Sequence, residues 1–354
     1  MFGKKKKSLL FYSKAPMNYV MFQRVADRLR AEGRVRVFLY AEGNADQDIP
    51  AVYGPLGVPR EDIIPWRRAR FGRFNLFVCA DAWMSRHRCR RSAHIFHGIS
   101  FKGKAFKPNM REYDRLFLFG EYHRRRFIEK GIFTDGDPRM AMIGMMKANA
   151  LFDGSLNKAE LQKRFGVDPA KPTILYAPTW SSRSSFFQQG NDIIDIVSRL
   201  DVNFLVKLHD LTVWPMTGGA PWPARMRKLQ EAGKQFHFVT ELNVMPLLYI
   251  SDLLISDASS VANEFTLLDR PIIFMDVPEL FEKYRASLDL ETWGRRTGYV
   301  VEDLARLEGV IRYALANPDE HGEIRRAAAA DYFYDPGRAT ERAVKEIYRL
   351  LDEE

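Results

Sequence analysis

Cysteine is scarce in this sequence: Cys79 and Cys89 are the only two among 354 residues. Their spacing matches neither a zinc site nor a disulfide framework, so we expect the chain to work in a reducing cytosol. No stretch approaches the ~18 apolar residues that a membrane-spanning helix needs. The apolar run at 8–12, "SLLFY", is broken by Lys14 and is too short for a signal peptide. The sequence thus predicts a cytoplasmic protein without a membrane span.

Several motifs that carry known chemistry are also missing. No Walker lysine motif is found, and no GxGxxG follows a predicted strand. No His/Cys/Asp cluster has zinc spacing, and "GSL" at 154–156 is not a nucleophile elbow. No carboxylate pair suited to a metal stands out. We therefore expect no metal and no cofactor.

Acidic residues are fewer than basic ones: 45 Asp and Glu against 54 Lys and Arg, a net charge of +9. This balance favours an anionic partner, either nucleic acid, an anionic membrane surface or a phosphorylated substrate. The basic clusters fall in the first half: "KKKK" at 4–7, "RRARFGR" at 67–73, "RHRCRR" at 86–91 and "HRRR" at 123–126. They predict a basic surface that can rest on anionic lipid. Because "RHRCRR" and "HRRR" lack interleaved aromatic residues, nucleic acid is not the expected partner.

Short β-type runs alternate with helical patterns along the chain, which predicts open, mainly parallel α/β sheets. In the first half the predicted strands are 8–12, 35–40, 74–80, 94–96, 115–120 and 139–144. In the second half they are 173–180, 203–209, 236–239, 252–256 and 271–275. The predicted helices are 17–33, 191–200, 223–233, 259–268 and 337–353.

The organisation predicts two α/β domains, 1–150 and 151–336, with a linker somewhere in 145–170. The first would carry the basic surface. The amphipathic C-terminal segment 337–354 can cross back to the first domain. Two such units in tandem predict a cleft, and ligands of open α/β sheets bind outside the carboxyl ends of strands.

Polar residues follow four of the predicted strands. They are the His97-Gly98 pair, "APTWSSRSS" at 177–185, His209, and "SDASSVANEF" at 256–265. The last segment places hydroxyls at the start of a helix, where free N–H groups can hold a phosphate. Each pattern alone also fits a structural role as a helix cap, a polar loop or a packed histidine.

The other histidines are expected to be structural or surface residues: His87, His94, His123, His237 and His321.

Taken together, these segments resemble one family. "ILYAPTW", "VKLH" and "LLYISDLLISDASSVANEFTLLDRPIIF" resemble motifs of the CDP-glycerol glycerophosphotransferases, the teichoic-acid polymerases and primases. "FHGISFKG" occupies the place of that family's "WHGTPLKK", and "FYDPGRATERAVKEI" resembles its closing helix entry. The resemblance covers roughly residues 90–350, and "SDASSVANEFTLLDRPIIF" is its most specific part.

The resemblance implies a GT-B fold, with two Rossmann-like domains facing a central cleft. The first would bind the acceptor, and the second would bind most of the nucleotide donor. It also implies a peripheral enzyme at the cytoplasmic face of the cell membrane. Such an enzyme transfers an alditol phosphate from a CDP-linked donor to a lipid-linked or polysaccharide acceptor, in teichoic-acid-like or capsule synthesis.

By the same resemblance, His97 is the general base for the acceptor hydroxyl, with Gly98 beside it. His209 contacts the donor pyrophosphate and stabilises the departing CMP. Lys102 and Lys104 steer the anionic acceptor.

The resemblance further implies that hydroxyls, backbone N–H groups and one arginine of the second domain bind the donor phosphates. The residues implied are Thr179, Ser181, Arg183, Ser259 and Ser260. Asp257 orients the turn before the last two, and Glu264 reaches the ribose hydroxyls.

The sequence departs from the family pattern near the expected substrates. Ser181 stands where the family has an arginine, and Arg183 can take over the role of that arginine. Ala258 stands where the family has a tyrosine. Lys207-Leu208-His209-Asp210 replaces "RxHP", and Ile99-Ser100 replaces Thr-Pro. These changes leave the donor open among CDP-glycerol, CDP-ribitol, another CDP-alditol and a nucleotide sugar. A GT-B glycosyltransferase or a sugar-nucleotide epimerase is the alternative function.

Overall fold

A computed structural model describes residues 6–42, 48–80, 89–99, 102–103, 105–209, 212 and 222–352. Within them the strands form two six-stranded sheets, and every strand pairing is parallel. The strands are β1 Ser8–Ser13, β2 Arg36–Ala41, β3 Phe74–Cys79, β4 Cys89–Ile95, β5 Arg115–Leu118, β6 Met140–Met142, β7 Thr173–Tyr176, β8 Asn203–Val206, β9 His237–Phe238, β10 Leu253–Ser256, β11 Ile272–Met275 and β12 Tyr299–Val301. The predicted parallel α/β architecture is confirmed.

Helices connect the strands, as parallel pairing requires. They are α1 Pro16–Glu32, α2 Ile49–Tyr53, α3 Trp66–Phe71, α4 Glu121–Glu129, α5 Lys158–Phe165, α6 Ser185–Val197, α7 Trp222–Glu231, α8 Met245–Ile250, α9 Ser260–Phe265, α10 Pro278–Tyr284, α11 Leu307–Ala316, α12 Gly322–Tyr332 and α13 Ala339–Asp352. Short 3-10 turns span Gly54–Leu56, Arg60–Asp62, Pro108–Glu112, Met146–Leu151, Thr266–Leu268 and Leu304–Arg306. None of the helices in these described ranges is both long and apolar enough to cross a bilayer.

The first compact unit comprises Met1–His97, Ala105–Asp153 and Asp331–Glu354. Its sheet has the order β2-β1-β3-β4-β5-β6, and the strands are almost entirely buried because helices cover both faces. The C-terminal helix α13 belongs to this unit. Glu346 of α13 forms an ion pair with Arg115 of β5, with 2.6 Å between Glu346 Oε1 and Arg115 Nε. Both side chains are largely buried.

The second unit comprises Gly98–Lys104 and Gly154–Ala330, with the sheet order β12-β11-β10-β7-β8-β9. From β7 the chain winds outward through β8 and β9, and from β10 it winds outward through β11 and β12. The winding direction therefore reverses between β7 and β10. In open parallel sheets this switch point is where ligands bind.

Three local features differ from the sequence-based expectation. Strand β4 begins at Cys89, well before His94, although its first half carries two arginines. The three-residue strand β12 was not predicted. The stretch 145–170, expected to hold the linker, contains a 3-10 turn and helix α5.

Candidate active site

The carboxyl ends of β7 and β10 lie side by side at the switch point of the second sheet. Tyr176, the last residue of β7, pairs in register with Ile255 of β10. Beyond this pair, the Ser256 hydroxyl donates a hydrogen bond to the Ala177 carbonyl at 2.7 Å. The segments "APTWSSRSS" and "SDASSVANEF" therefore leave the sheet from adjacent strands.

A buried carboxylate joins these two segments. Asp257 has no exposed surface and accepts hydrogen bonds from the Thr179 N–H at 2.7 Å and the Ser185 N–H at 3.0 Å. The Ser185 hydroxyl donates a third, at 2.9 Å. A buried carboxylate is tolerated only when it is bonded in this way. Asp257 therefore fixes the loop after β7 and the start of α6.

The carboxylate of Asp257 also affects the pKa of the neighbouring Tyr176 hydroxyl. Burial, followed by the Coulomb effect of Asp257, raises the pKa of Tyr176 well above its usual value. The Tyr176 and Ser185 hydroxyls lie 2.9 Å apart. Tyr176 therefore stays protonated and acts as a neutral hydrogen-bonding group beneath the loop.

The remaining predicted phosphate-binding residues form turns at this edge. The Ser259 hydroxyl caps α9 by accepting from the Val261 N–H at 3.4 Å. The Ser181 hydroxyl accepts from the Arg183 N–H at 3.1 Å, and the exposed Arg183 guanidinium donates to the Glu279 carbonyl. Ser181 and Ser259 are buried, so their hydroxyls shape the turns that present backbone N–H groups.

His209 follows β8, the strand on the other side of β7. Its side chain is half-buried, and its carbonyl accepts from the Thr212 N–H at 2.8 Å. Two residues earlier Lys207 is 8% exposed, and its ammonium lies 3.4 Å from the Leu208 carbonyl. The strand end therefore carries a buried cation beside the histidine.

The segment Gly98–Lys104 belongs to the second unit, and its residues Gly98 and Ile99 pack on α9. A Cβ added to Gly98 would lie 2.7 Å from the Ser260 Oγ and 3.8 Å from an oxygen of the fully buried Glu264. The Asn263 side-chain amide donates to the Ile99 carbonyl at 2.9 Å. A side chain at position 98 would collide with Ser260, so the glycine allows the chain to approach the start of α9 closely.

The same segment reaches the loop after β7 through Lys102. Its ammonium donates to the Thr179 hydroxyl at 2.6 Å and lies 5.8 Å from the centre of the Tyr284 ring. The Ser287 hydroxyl donates to the Lys102 carbonyl at 2.6 Å. Lys102 therefore places a positive charge at the switch point. Lys104 lies outside the described residues.

His97 follows β4 by two residues in the first unit and is exposed. Its Nδ1 lies 3.2 Å from the carbonyl of Ala80, which follows the neighbouring strand β3. A carbonyl can only accept, so Nδ1 carries the hydrogen, and Nε2 is the basic nitrogen of the neutral ring. This tautomer suits a proton acceptor.

Two other histidines of the first unit are buried instead. Burial lowers the pKa of His94 to about 3, with smaller contributions from His97 and His123. Burial also lowers the pKa of His123 to about 3. Both rings pack against Phe96, with centroids 4.6 Å away. These residues are part of the core.

The sequence model of one family, CDP-Glycerol:Poly(glycerophosphate) glycerophosphotransferase, matches residues 90–349. The match covers more than half of the chain and includes the polar segments after β4, β7, β8 and β10. The chain belongs to this family. The resemblance inferred from "APTW", "VKLH" and "SDASSVANEF" is thereby confirmed.

Related proteins of the glycerophosphotransferase family are distant. A teichoic acid glycerol-phosphate primase of Bacillus spizizenii is 27% identical over 200 residues, covering 56% of this chain and 46% of the primase. A teichoic acid ribitol-phosphate polymerase of Staphylococcus aureus is 24% identical over 271 residues, covering 71% of this chain and 45% of the polymerase. The chain thus spans about half the length of these curated relatives.

A solved structure of a variant of the wall teichoic acid polymerase TagF, soaked with CDPG, matches with a TM-score of 0.70. The identity is 16%, and the match covers 98% of this chain and 89% of that one. With the two doubly wound units, this similarity establishes the GT-B fold.

The roles of three residues at this candidate site were not predicted from the sequence. They are Ser185, which bonds Asp257, Asn263, which holds Ile99, and the buried Lys207. A signal existed for two of them: Asn263 is polar within a short apolar helix, and Lys207 interrupts an apolar strand end. Ser185 lies in the polar segment "APTWSSRSS" and was expected to donate to phosphate, but its hydrogen bonds to Asp257 were not predicted.

Proposed function

We propose that this chain transfers an alditol phosphate from a CDP-linked donor to an acceptor hydroxyl in teichoic-acid-type polymer synthesis. CDP-glycerol is the first donor to test. One observation carries the proposal: the match to the glycerophosphotransferase family includes the segments that meet at the switch point of the second sheet. Parallel sheets bind nucleotides at such points.

The donor diphosphate is proposed to lie over the turns after β7 and β10. Thr179, Ser259 and Ser260 would donate hydrogen bonds to its oxygens, with Ser181 and Arg183 shaping the first turn. Asp257 would hold both turns in place before the donor arrives, which avoids reorganisation during the reaction. Lys102 would add positive charge, and Glu264 is assigned to the ribose hydroxyls.

The transfer is an in-line displacement at the β-phosphorus of the donor. His97 Nε2 takes the proton of the acceptor hydroxyl, whose oxygen forms the new P–O bond. The bond from this phosphorus to the bridging oxygen breaks, and CMP leaves with the electron pair. His209 offsets the charge that develops on CMP. Such displacements depend on positioning and charge neutralisation, and general-base help adds about 10²–10⁴-fold.

The surroundings of the reaction follow from the same assignment. The acceptor is proposed to be lipid-linked or a polysaccharide, and the enzyme would work at the inner face of the cell membrane. The CDP-linked donor is a substrate, so no cofactor is assigned. Matched relatives act, by name, in glycerol-phosphate and ribitol-phosphate chemistry, so CDP-ribitol is the second donor to compare. Capsule synthesis is an alternative destination of the product.

Ligand-induced thermal shifts provide the first test. CDP-glycerol, CDP-ribitol, CMP, UDP and UDP-sugars are compared, because a bound ligand raises the melting temperature through RT ln(1 + [L]/Kd). We expect CDP-alditols to give the largest shifts. A preference for UDP or UDP-sugars would overturn the proposal in favour of a glycosyltransferase or an epimerase.

A transfer assay with radiolabelled donor tests the role of His97. His97→Ala is expected to abolish product formation but retain the CDP-donor thermal shift. His237→Ala is the control, because His237 is also exposed but lies on β9. Near-normal turnover of His97→Ala would show that the general base is another group.

A further inference from the structure

Helix α3 and the two residues after it expose an unusual combination of side chains. Phe71 is 60% exposed and Trp66 52% exposed, and Phe71 has the largest exposed fraction among the described large hydrophobic residues. The two rings touch edge to face, with centroids 5.7 Å apart. They therefore form one exposed aromatic pair. We call this pair, together with Arg67, Arg68, Arg70 and Arg73, the Trp66–Arg73 surface.

Exposed arginines surround this aromatic pair. They are Arg67, Arg68, Arg70 and Arg73, together with Arg36 at the start of β2. None of the five forms an ion pair with any residue in the described ranges. Arg36 and Arg68 both lie over the ring of Phe38, at 5.8 and 4.6 Å from its centre. The segment 65–73 has no acidic residue, and Asp62 before it is bonded by Arg30 at 2.7 Å.

The other basic clusters differ from this surface. The arginines of "HRRR" are neutralised: Arg124 pairs with Glu121, Arg125 with Asp331 and Arg126 with Glu129. The expected basic surface therefore does not include that cluster. In "KKKK", Lys7 bonds Asp352 at 2.9 Å. Lys4, Lys5 and residues 86–88 lie outside the described residues.

The Trp66–Arg73 surface is located at the amino edge of the first sheet. Arg36 begins β2 and Arg73 directly precedes β3, whereas His97 follows the carboxyl end of β4. Since the strands are parallel, these are opposite edges of the sheet, separated by a strand of about 20 Å at 3.3 Å per residue. A large partner on this surface leaves the His97 edge open.

We propose that the Trp66–Arg73 surface binds the headgroup region of an anionic lipid bilayer. Arginines that form no ion pair in the described ranges complement anionic headgroups, and Trp and Phe enter the boundary between headgroups and acyl chains. Single-stranded nucleic acid fits less well, because its binding sites are grooves lined with flat stacking platforms. Here the two rings pack on each other on a short projecting helix. This inference rests on the membrane association proposed above and names the surface responsible.

Cosedimentation with vesicles tests the proposal. Vesicles of phosphatidylglycerol and phosphatidylcholine in equal parts are compared with phosphatidylcholine alone, at low and high salt. The charge variant is Arg67→Gln/Arg70→Gln/Arg73→Gln, and the aromatic variant is Trp66→Ser/Phe71→Ser. Each arginine near an anionic surface strengthens binding about fivefold, so the charge variant should bind about a hundredfold more weakly. The aromatic variant should lose at least about tenfold.

Matched controls use exposed residues of the second unit. Arg199→Gln/Arg227→Gln/Arg306→Gln removes the same charge from arginines that are also exposed and without an ion pair in the described ranges. Tyr313→Ser removes an aromatic ring that is 52% exposed, as Trp66 is. Both controls should bind anionic vesicles like the parent chain.

Three results would overturn the proposal: no binding of the parent chain to anionic vesicles, equal binding to phosphatidylcholine alone, or control variants that lose as much as the surface variants. Tighter binding to a single-stranded oligonucleotide, lost in the surface variants, would make the surface a nucleic-acid site instead. Thermal shifts with CDP-glycerol, measured on the same variants, should stay unchanged. Failure of the transferase proposal would appear there and not in the vesicle assay.

Discussion

The Asn263 side-chain amide donates its hydrogen bond to the carbonyl of Ile99, a residue 164 positions earlier in the chain. Asn263 is fully buried on α9, and Ile99 follows the His97-Gly98 pair. The helix that starts with the serine turn therefore also holds Ile99, two residues after the proposed general base in the sequence.

Replacing Asn263 is expected to reduce turnover far more than donor binding. Asn263→Leu keeps the volume but leaves the buried Ile99 carbonyl without its donor, at a cost of about 1–3 kcal/mol of stability. Because small displacements of a reacting group cost up to about 10²-fold, kcat should fall at least about tenfold. The CDP-donor thermal shift should persist.

Thr266→Val is the matched control for this change. The Thr266 hydroxyl donates to the Asn263 carbonyl at 2.6 Å, so the variant also loses one buried hydrogen bond of the same helix. Its kcat should stay near the parent value. Equal losses of kcat in the two variants would mean that Asn263 contributes only to stability.

The sequence predicted these strands and the polar segments after them because apolar runs and the polar residues that follow are local signals. Ser256 ends its strand as predicted, whereas β7 and β8 end at Tyr176 and Val206, before the predicted ends at 180 and 209. The chemistry-bearing segments follow each of the three strands. Their order in the sheet follows from the doubly wound topology. Strand β12 was missed because three residues carry no periodic pattern, and the first half of β4 because two arginines disguise it.

Contacts between distant parts of the chain were not accessible from sequence. Nothing local to Asn263 or Lys102 indicates that they bond Ile99 and Thr179, respectively. These pairs form only when folding brings the distant segments together. The ion pairing that neutralises "HRRR" was hidden for the same reason: Asp331 lies 206 positions from Arg125. Charge runs therefore overstate the basic surface unless their partners are known.

Removing the charge of Asp257 is expected to abolish donor binding. Asp257→Asn keeps the shape but places an N–H₂ group among three donors, from Thr179 and Ser185. Hydrogen bonds to charged groups contribute about 1.5–3 kcal/mol each, so we expect a loss of about 3 kcal/mol. Chemical denaturation measures this loss, and the CDP-donor thermal shift should disappear.

Asp252→Asn serves as the control on the same strand. Asp252 precedes β10 at its opposite end and accepts one hydrogen bond, from the Thr173 N–H at 2.8 Å. Its replacement should cost about 1 kcal/mol and leave the donor shift intact. A donor shift that survived in Asp257→Asn would show that the turns bind the diphosphate without this carboxylate.

The contact between Gly98 and Ser260 predicts a compensating pair of substitutions. An added Cβ at position 98 would lie 2.7 Å from the Ser260 Oγ and 2.9 Å from its Cβ, so Gly98→Ala should lower the melting temperature. Ser260→Gly removes both atoms and should restore most of the loss, with a coupling energy of at least about 1 kcal/mol. Gly309→Ala, which meets nothing within 4 Å, is the control and should not destabilise. Additive effects of the two substitutions would contradict the close packing.

The buried histidines predict that the first unit loses stability in acid. Burial lowers the pKa of His94 and of His123 from 6.5 to about 3. Below pH 6.5 the unfolded chain therefore binds protons at these two histidines that the folded chain does not bind. The stabilising effect of each neutral ring is complete above pH 6.5. It is lost by about 1.4 kcal/mol per pH unit as the pH falls towards 3. His94→Leu should therefore flatten the pH dependence of the unfolding free energy by that amount, measured by denaturant titration. His237→Leu removes an exposed ring and should leave the slope of the unfolding free energy against pH unchanged. The same unchanged slope in His94→Leu would mean that His94 takes up its proton without unfolding.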